Sequence, residues 1–127
     1  MNLKLDFRAE GDILHCAVSG PYSLADFLRL ADRVLDERRA RGLPRVLVDI
    51  TAVTGEIPSL DRYRLGIYVA ERPERARRLA VVARREVINW MFENVASNRG
   101  LPTCVTADRR FAESWLHRSV GPGRRPA

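Results

Sequence analysis

The stretch Val46–Ala70, VLVDITAVTGEIPSLDRYRLGIYVA, decides the fold. It opens on a short apolar run, Val46 to Ile50, broken only by Asp49. A loop of turn and polar residues follows, Thr51 to Pro58. Ser59 then stands where a helix N-cap belongs, ahead of Leu60, Tyr63, Ile67 and Ala70 at helical spacing. A buried strand thus hands the chain to a loop and a helix N-terminus, and open α/β sheets bind their ligands at such strand ends.

Toward the N-terminus, Leu3, Leu5, Phe7 and Ala9 alternate with Lys4, Asp6 and Arg8, which predicts an edge strand with one polar face. Gly11-Asp12 is a two-residue hairpin signal, so Ile13 to Ser19 is expected to return antiparallel. That second strand is apolar almost throughout and is expected to be buried on both faces. Gly20-Pro21 ends it. Ser23, with Asp26 three residues on, predicts the N-cap of a first helix running to about Arg41. Leu24, Phe27, Leu28, Ala31, Val34 and Leu35 form its apolar stripe, Gly42 its C-terminal stop. A strand reaching the next strand through such a helix is a right-handed βαβ unit, so Arg45 to Ile50 should lie parallel to Ile13 to Ser19.

Toward the C-terminus, the second helix has apolar residues on two sides. Leu60, Tyr63, Gly66, Ile67 and Ala70 are expected to face the sheet. Leu65, Tyr68 and Val69 are expected to point outward, as a candidate interface for a second subunit or a partner protein. Leu79 to Ala83 reads as a central strand. A third helix is expected from about Asn89 to Asn98, with Met91, Phe92, Val95 and Ala96 buried and Trp90 near its start on the other side. Pro102 opens a last strand to about Thr106. Asp108 is a good N-cap for a fourth helix that buries Phe111, Ala112, Trp115 and Leu116. The order is β-β-α-β-α-β-α-β-α, an α/β domain with a mostly parallel five-stranded sheet, one antiparallel edge strand and four helices. The domain is expected to span residues 1–120, with GPGRRPA, residues 121–127, as a disordered tail.

Composition narrows the function classes. The 127 residues suit one domain with a single core, and 46% hydrophobic content is ample for it. No apolar run approaches the ~20 residues of a membrane span. The N-terminus lacks the apolar stretch of a signal peptide, so a cytoplasmic location is expected. Cys16 and Cys104 fall in predicted central strands and read as buried thiols. His15 and His117 have no metal-ligand spacing. The net charge of +6 is carried almost wholly by arginine, Lys4 being the sole lysine. Arg38, Arg39 and Arg41, and then Arg72, Arg75, Arg77 and Arg78, sit near predicted helix C-termini, where cations complement the helix dipole. With no aromatic interleaving, this is not the pattern of a nucleic-acid surface.

The sequence pieces SGPYSLADFLRLADRVL, RVLVDIT, IPSLDRYRLGIYVAE and FENVASNRGLPTCVTADRRFAESWL resemble the SpoIIAA-like (STAS-like) family of small bacterial proteins. The similarity runs from about Leu3 to Leu116. It implies an STAS-like fold and a regulatory role. Anti-sigma factor antagonists of the wider group carry a phosphorylated serine at the start of the second helix. Ser59 takes the similar place, as a candidate phosphosite or helix N-cap, but the acid and glycine of an Asp-Ser-x-Gly-like motif are missing around it. The fold group also includes lipid-binding relatives of the CRAL-TRIO kind.

No Gly-rich phosphate loop, nucleophile elbow, His-x-x-x-His or CxxC motif appears, so no catalytic residue, metal or cofactor is expected. The expected function is a non-catalytic regulatory and protein-interaction module that binds through the second helix and its preceding loop. Its partner would be another protein or a second copy, as a homodimer. The alternative is a carrier or sensor of a small apolar or amphipathic, lipid-like ligand at the strand C-termini. Asp49, Arg62, Arg84 and Trp90 are its candidate binding residues.

Overall fold

A computed structural model describes residues 1–118. Its strands are β1 (Lys4–Glu10), β2 (Ile13–Pro21), β3 (Arg45–Thr54), β4 (Arg78–Val82) and β5 (Thr103–Thr106). Its helices are α1 (Leu24–Arg41), α2 (Ser59–Ala70), α3 (Met91–Asn98) and α4 (Arg109–Leu116), with a 3-10 turn at Arg85–Val87. The expected tail, residues 121–127, lies outside the described residues.

The strands pair in chain order, β1-β2-β3-β4-β5. β1 is antiparallel to β2 through the Gly11-Asp12 turn, where Gly11 takes a φ of 60°. Every later pair is parallel. A monotonic strand order has a direct consequence. Right-handed crossovers that all step the same way put every connecting helix on one face of the sheet. α1, α2 and α3 therefore share one face, with Val46, Val48, Leu79, Val81 and Val105 beneath them. α4 follows β5 and takes the other face. There it packs Ala112, Trp115 and Leu116 on Leu47, Ala80, Val82 and Cys104.

Local signals fix the helix ends where they are strong. Ser23 Oγ accepts the Asp26 N–H at 3.1 Å, and Gly42 closes α1 in the left-handed conformation. Asp108 accepts the Phe111 N–H at 3.1 Å to start α4. The far end of α4 is held by cations rising from the sheet. Arg45 Nε donates to the Leu116 carbonyl at 2.6 Å, and Arg78 Nη1 to the Trp115 carbonyl at 2.6 Å. Arg78 thus belongs to β4 and caps α4, whereas the sequence placed it near the end of the second helix. Arg75 fills that expected role, donating to the Ala70 carbonyl at 2.8 Å.

Two expectations about α2 are corrected. Ser59 is not its N-cap: Pro58 holds that position without a side-chain bond, and Ser59 is the first helical residue. The helix is also rotated from the expected setting. Gly66 faces α3 so closely that a Cβ on it would lie 2.9 Å from the Val95 side chain. That contact fixes the roll of the helix. Leu65 turns inward and is 6% exposed, Val69 packs on the core, and Tyr68 donates its hydroxyl hydrogen to Asp32 of α1 at 2.9 Å. Leu60 and Tyr63, expected on the sheet, face solvent instead. The candidate interface of Leu65, Tyr68 and Val69 is therefore spent within the chain.

β2 is also not buried on both faces along its whole length, since Ala17 is exposed. β3 runs four residues beyond the expected Ile50, because its end pairs with Ser19–Pro21 past an irregularity at Ala17.

Candidate functional site

Between the sheet and its three-helix face lies a cavity of about 140 Å³. Val46, Val48 and Ile50 of β3 and Leu79, Val81 and Ala83 of the β4 segment form its floor. Phe27, Leu30, Val34 and Leu35 of α1 and Leu65 and Val69 of α2 form its wall. The segment Val87–Trp90 and Phe92 close the end where the strands finish. Asn89 and Trp90 are the exposed residues among this lining, so the cavity meets solvent there.

That end is tied together by a small polar network. Arg62 Nε donates to the Ile57 carbonyl at 2.8 Å and Nη1 to the Val87 carbonyl at 2.5 Å, joining the loop before α2 to the loop after β4. Asn89 Nδ2 donates to Ser59 Oγ at 3.1 Å, while Asn89 Oδ1 accepts the Met91 N–H at 3.1 Å. Trp90 is the N-cap residue of α3 and holds a φ of 70°. It is the sole non-glycine residue with positive φ among those described. An indole residue in the left-handed region is strained, and such strain clusters at binding sites and switches. Burial lowers the Arg62 pKa from its ordinary value, yet an arginine so bonded stays charged, and it is the one cation among the described lining residues.

The structure brings only two of the four candidate binding residues to this cavity, Arg62 and Trp90. Asp49 projects from the opposite face of β3, because alternate strand residues point opposite ways and Val48 and Ile50 take the cavity side. Its Oδ1 accepts the Thr51 N–H at 2.8 Å and the Thr51 O–H at 2.7 Å, and its Oδ2 accepts from Arg109 at 2.5 Å. Burial alone would raise its pKa, but these three donors outweigh it and hold the carboxyl below its ordinary value. Arg84 is exposed, pairs with Glu86 at 3.2 Å, and is not part of the lining. Ser59 sits at the latch to Asn89. Leu65 and Val69, expected at the surface, are wall residues.

Sequence reasoning missed Ile57, Val87 and Ile88. The signal was present: apolar residues inside segments read as loops must cover something. The exposed large hydrophobics also gather here. Leu60, Tyr63, Trp90 and Met91 lie on the first turns of α2 and α3, which the Ser59–Asn89 bond joins.

No family model matches the chain, and no curated protein matches it. Among solved structures it is similar to an anti-sigma factor antagonist from Mycobacterium paratuberculosis, with a TM-score of 0.61 and 15% identity over 91% of this chain and 95% of that one. It is also similar to an uncharacterized protein of the DUF3478 family with a SpoIIAA-like fold from Shewanella loihica PV-4. There the TM-score is 0.55, with 21% identity over 91% of this chain and 93% of that one. The fold is SpoIIAA-like. No helix among the described residues is long and apolar enough to cross a membrane.

Proposed function

We propose that this SpoIIAA-like domain is a non-catalytic regulatory module that binds a small apolar or amphipathic molecule in the cavity under α1, α2 and α3. The observation that carries this reading is the cavity itself. An apolar void of about 140 Å³ is close to the size that takes up benzene when engineered into a protein core. A ligand that enters it gains the burial of its own apolar surface, about 25 cal/mol per Å². The Arg62 guanidinium at the strand ends suits an anionic head group, and Trp90 at the mouth suits a sensor of occupancy.

The test is a fluorescence titration with short fatty acids and aliphatic alcohols. Trp115 is fully buried on the opposite face and serves as an internal reference. The expected outcome is a saturable change in emission that disappears in Trp90→Phe, with thermal stabilisation of about 2.7 kcal/mol at a hundredfold excess over Kd. Emission and melting both unchanged across the panel would refute the reading.

A protein-interaction role through the same edge is the second reading, favoured by the exposure of Leu60 and Tyr63 on the first turns of α2. The double variant Leu60→Asp, Tyr63→Asp is expected to keep the fold and lose self-association in sedimentation. A wild-type chain already monomeric at high concentration removes the homodimer.

A further inference from the structure

The opposite face of the sheet carries a second, polar concavity. α4 covers β3, β4 and β5 on that side together with Ile13 at the start of β2, and leaves β1 and Ala17 of β2 uncovered. In the corner between α4 and β1 lies a pocket of about 70 Å³, lined among others by Asp6, Arg8, His15, Asp49 and Arg109. His15 is 4% exposed, yet neither ring nitrogen has a hydrogen-bond partner among the described residues. Glu10 Oε1 approaches Nε2 only to 3.7 Å, beyond hydrogen-bond reach. Leaving a buried imidazole unsatisfied costs about 1–3 kcal/mol per group, so native interiors seldom do it. A single water needs only ~10–15 Å³ of such space, so the pocket is several times larger than one water requires.

The groups around His15 define what fits. Both Asp49 oxygens are already occupied, by Thr51 and Arg109, so Asp49 and Arg109 neutralise each other, and the Asp6 carboxylate also lines the pocket. Arg8 engages Glu10 through one nitrogen at 2.9 Å. Two guanidinium groups, each with one carboxylate partner and further N–H donors to give, therefore flank a buried imidazole that offers one N–H and one bare nitrogen. The bare nitrogen needs a donor, and the N–H and the arginines need oxygens.

We infer that this corner is a binding site for a phosphoryl group, either free phosphate or a phosphate monoester, held between Arg8, Arg109 and His15. A protonated phosphate oxygen donates to the bare ring nitrogen, and its other oxygens accept from the ring N–H and the guanidiniums. Sulfate, fully deprotonated, lacks that donor. The exposed Ala17 leaves the pocket open on the β1 and β2 side, so an ester group extends outward.

The probe is inorganic phosphate, titrated into the full chain with 15N-labelled histidine at constant ionic strength. The His15 ring nitrogens are expected to shift and saturate with phosphate and to stay unmoved by sulfate. Arg8→Gln, at an exposed position, is expected to weaken the effect about tenfold or more, the worth of one charge-assisted hydrogen bond. Glycerol phosphate tests the ester form: tighter binding than phosphate assigns the site to monoesters, weaker binding to the free ion. Ring nitrogens that ignore phosphate, drift without saturating, or respond equally to sulfate overturn the inference.

Discussion

The two faces of this sheet solve the same problem in opposite ways. Three helices cover one face, yet they enclose a void of about 140 Å³. One eight-residue helix covers part of the other, and there the packing is tight. Trp115, Leu116 and Ala112 on that face are all 0% exposed. α4 fills its face with Trp115, Leu116 and Ala112 and is tied down at its end by Arg45 and Arg78. α1 and α2 face the sheet through Phe27, Leu30, Leu65 and Val69, which line the cavity. The larger buried core and the room for a ligand thus lie together under the three helices, and the smaller core under α4 is filled. What α4 leaves uncovered is the polar corner at His15.

Enlarging one alanine on each face tests the contrast most severely. Ala112→Leu has no space to enter and is expected to cost about 1–3 kcal/mol in denaturant melts. Ala31→Leu points into the cavity lining and is expected to stay within about 1 kcal/mol of wild type, while abolishing ligand uptake. Equal costs on the two faces would break the comparison.

A smaller effect separates the faces by pH. Burial, reinforced by Arg8, lowers the His15 pKa below its ordinary value, with Arg109 opposing protonation and Glu10 and Glu113 favouring it. The unfolded chain therefore binds the proton first. Stability is fully present above about pH 6.5, the ordinary histidine value, and declines as pH falls toward the folded pKa. Asp49 adds a second loss below about pH 4, since its folded pKa is also depressed. Both groups sit on the α4 side. Denaturant midpoints between pH 7.5 and 5.5 are expected to fall in wild type and to flatten in His15→Leu; an unchanged slope in that variant would remove His15 as the cause.

Much of this was legible in the chain because the signals were local. Gly11-Asp12, Ser23, Gly42 and Asp108 each specify a turn or cap within a few residues, and each stands where expected. The roll of α2 was not legible. Leu60, Tyr63, Leu65, Ile67, Tyr68 and Val69 ring that helix with apolar residues, so periodicity alone names no inner face. The choice is made by Gly66 against Val95, a contact between residues 29 positions apart. For the same reason the cavity was half seen: Arg62 and Trp90 were in hand, and the wall residues Leu65 and Val69 were assigned outward. Asp49 was drawn to the wrong side because its parity against Val48 and Ile50 was not followed.

The strand order carries a consequence for how the chain reaches this state. Each strand pairs with its immediate predecessor, so the sheet can grow stepwise during synthesis, each parallel step closing a helical crossover such as that from Ile13 to Arg45. The α1 to α3 side is roofed as it forms, because every new strand arrives with its helix already delivered. The side bearing Leu47, Ala80, Val82 and Cys104 waits for α4. Until Trp115 leaves the ribosome, the nascent protein presents a bare apolar sheet, the kind of surface that aggregates or recruits chaperones.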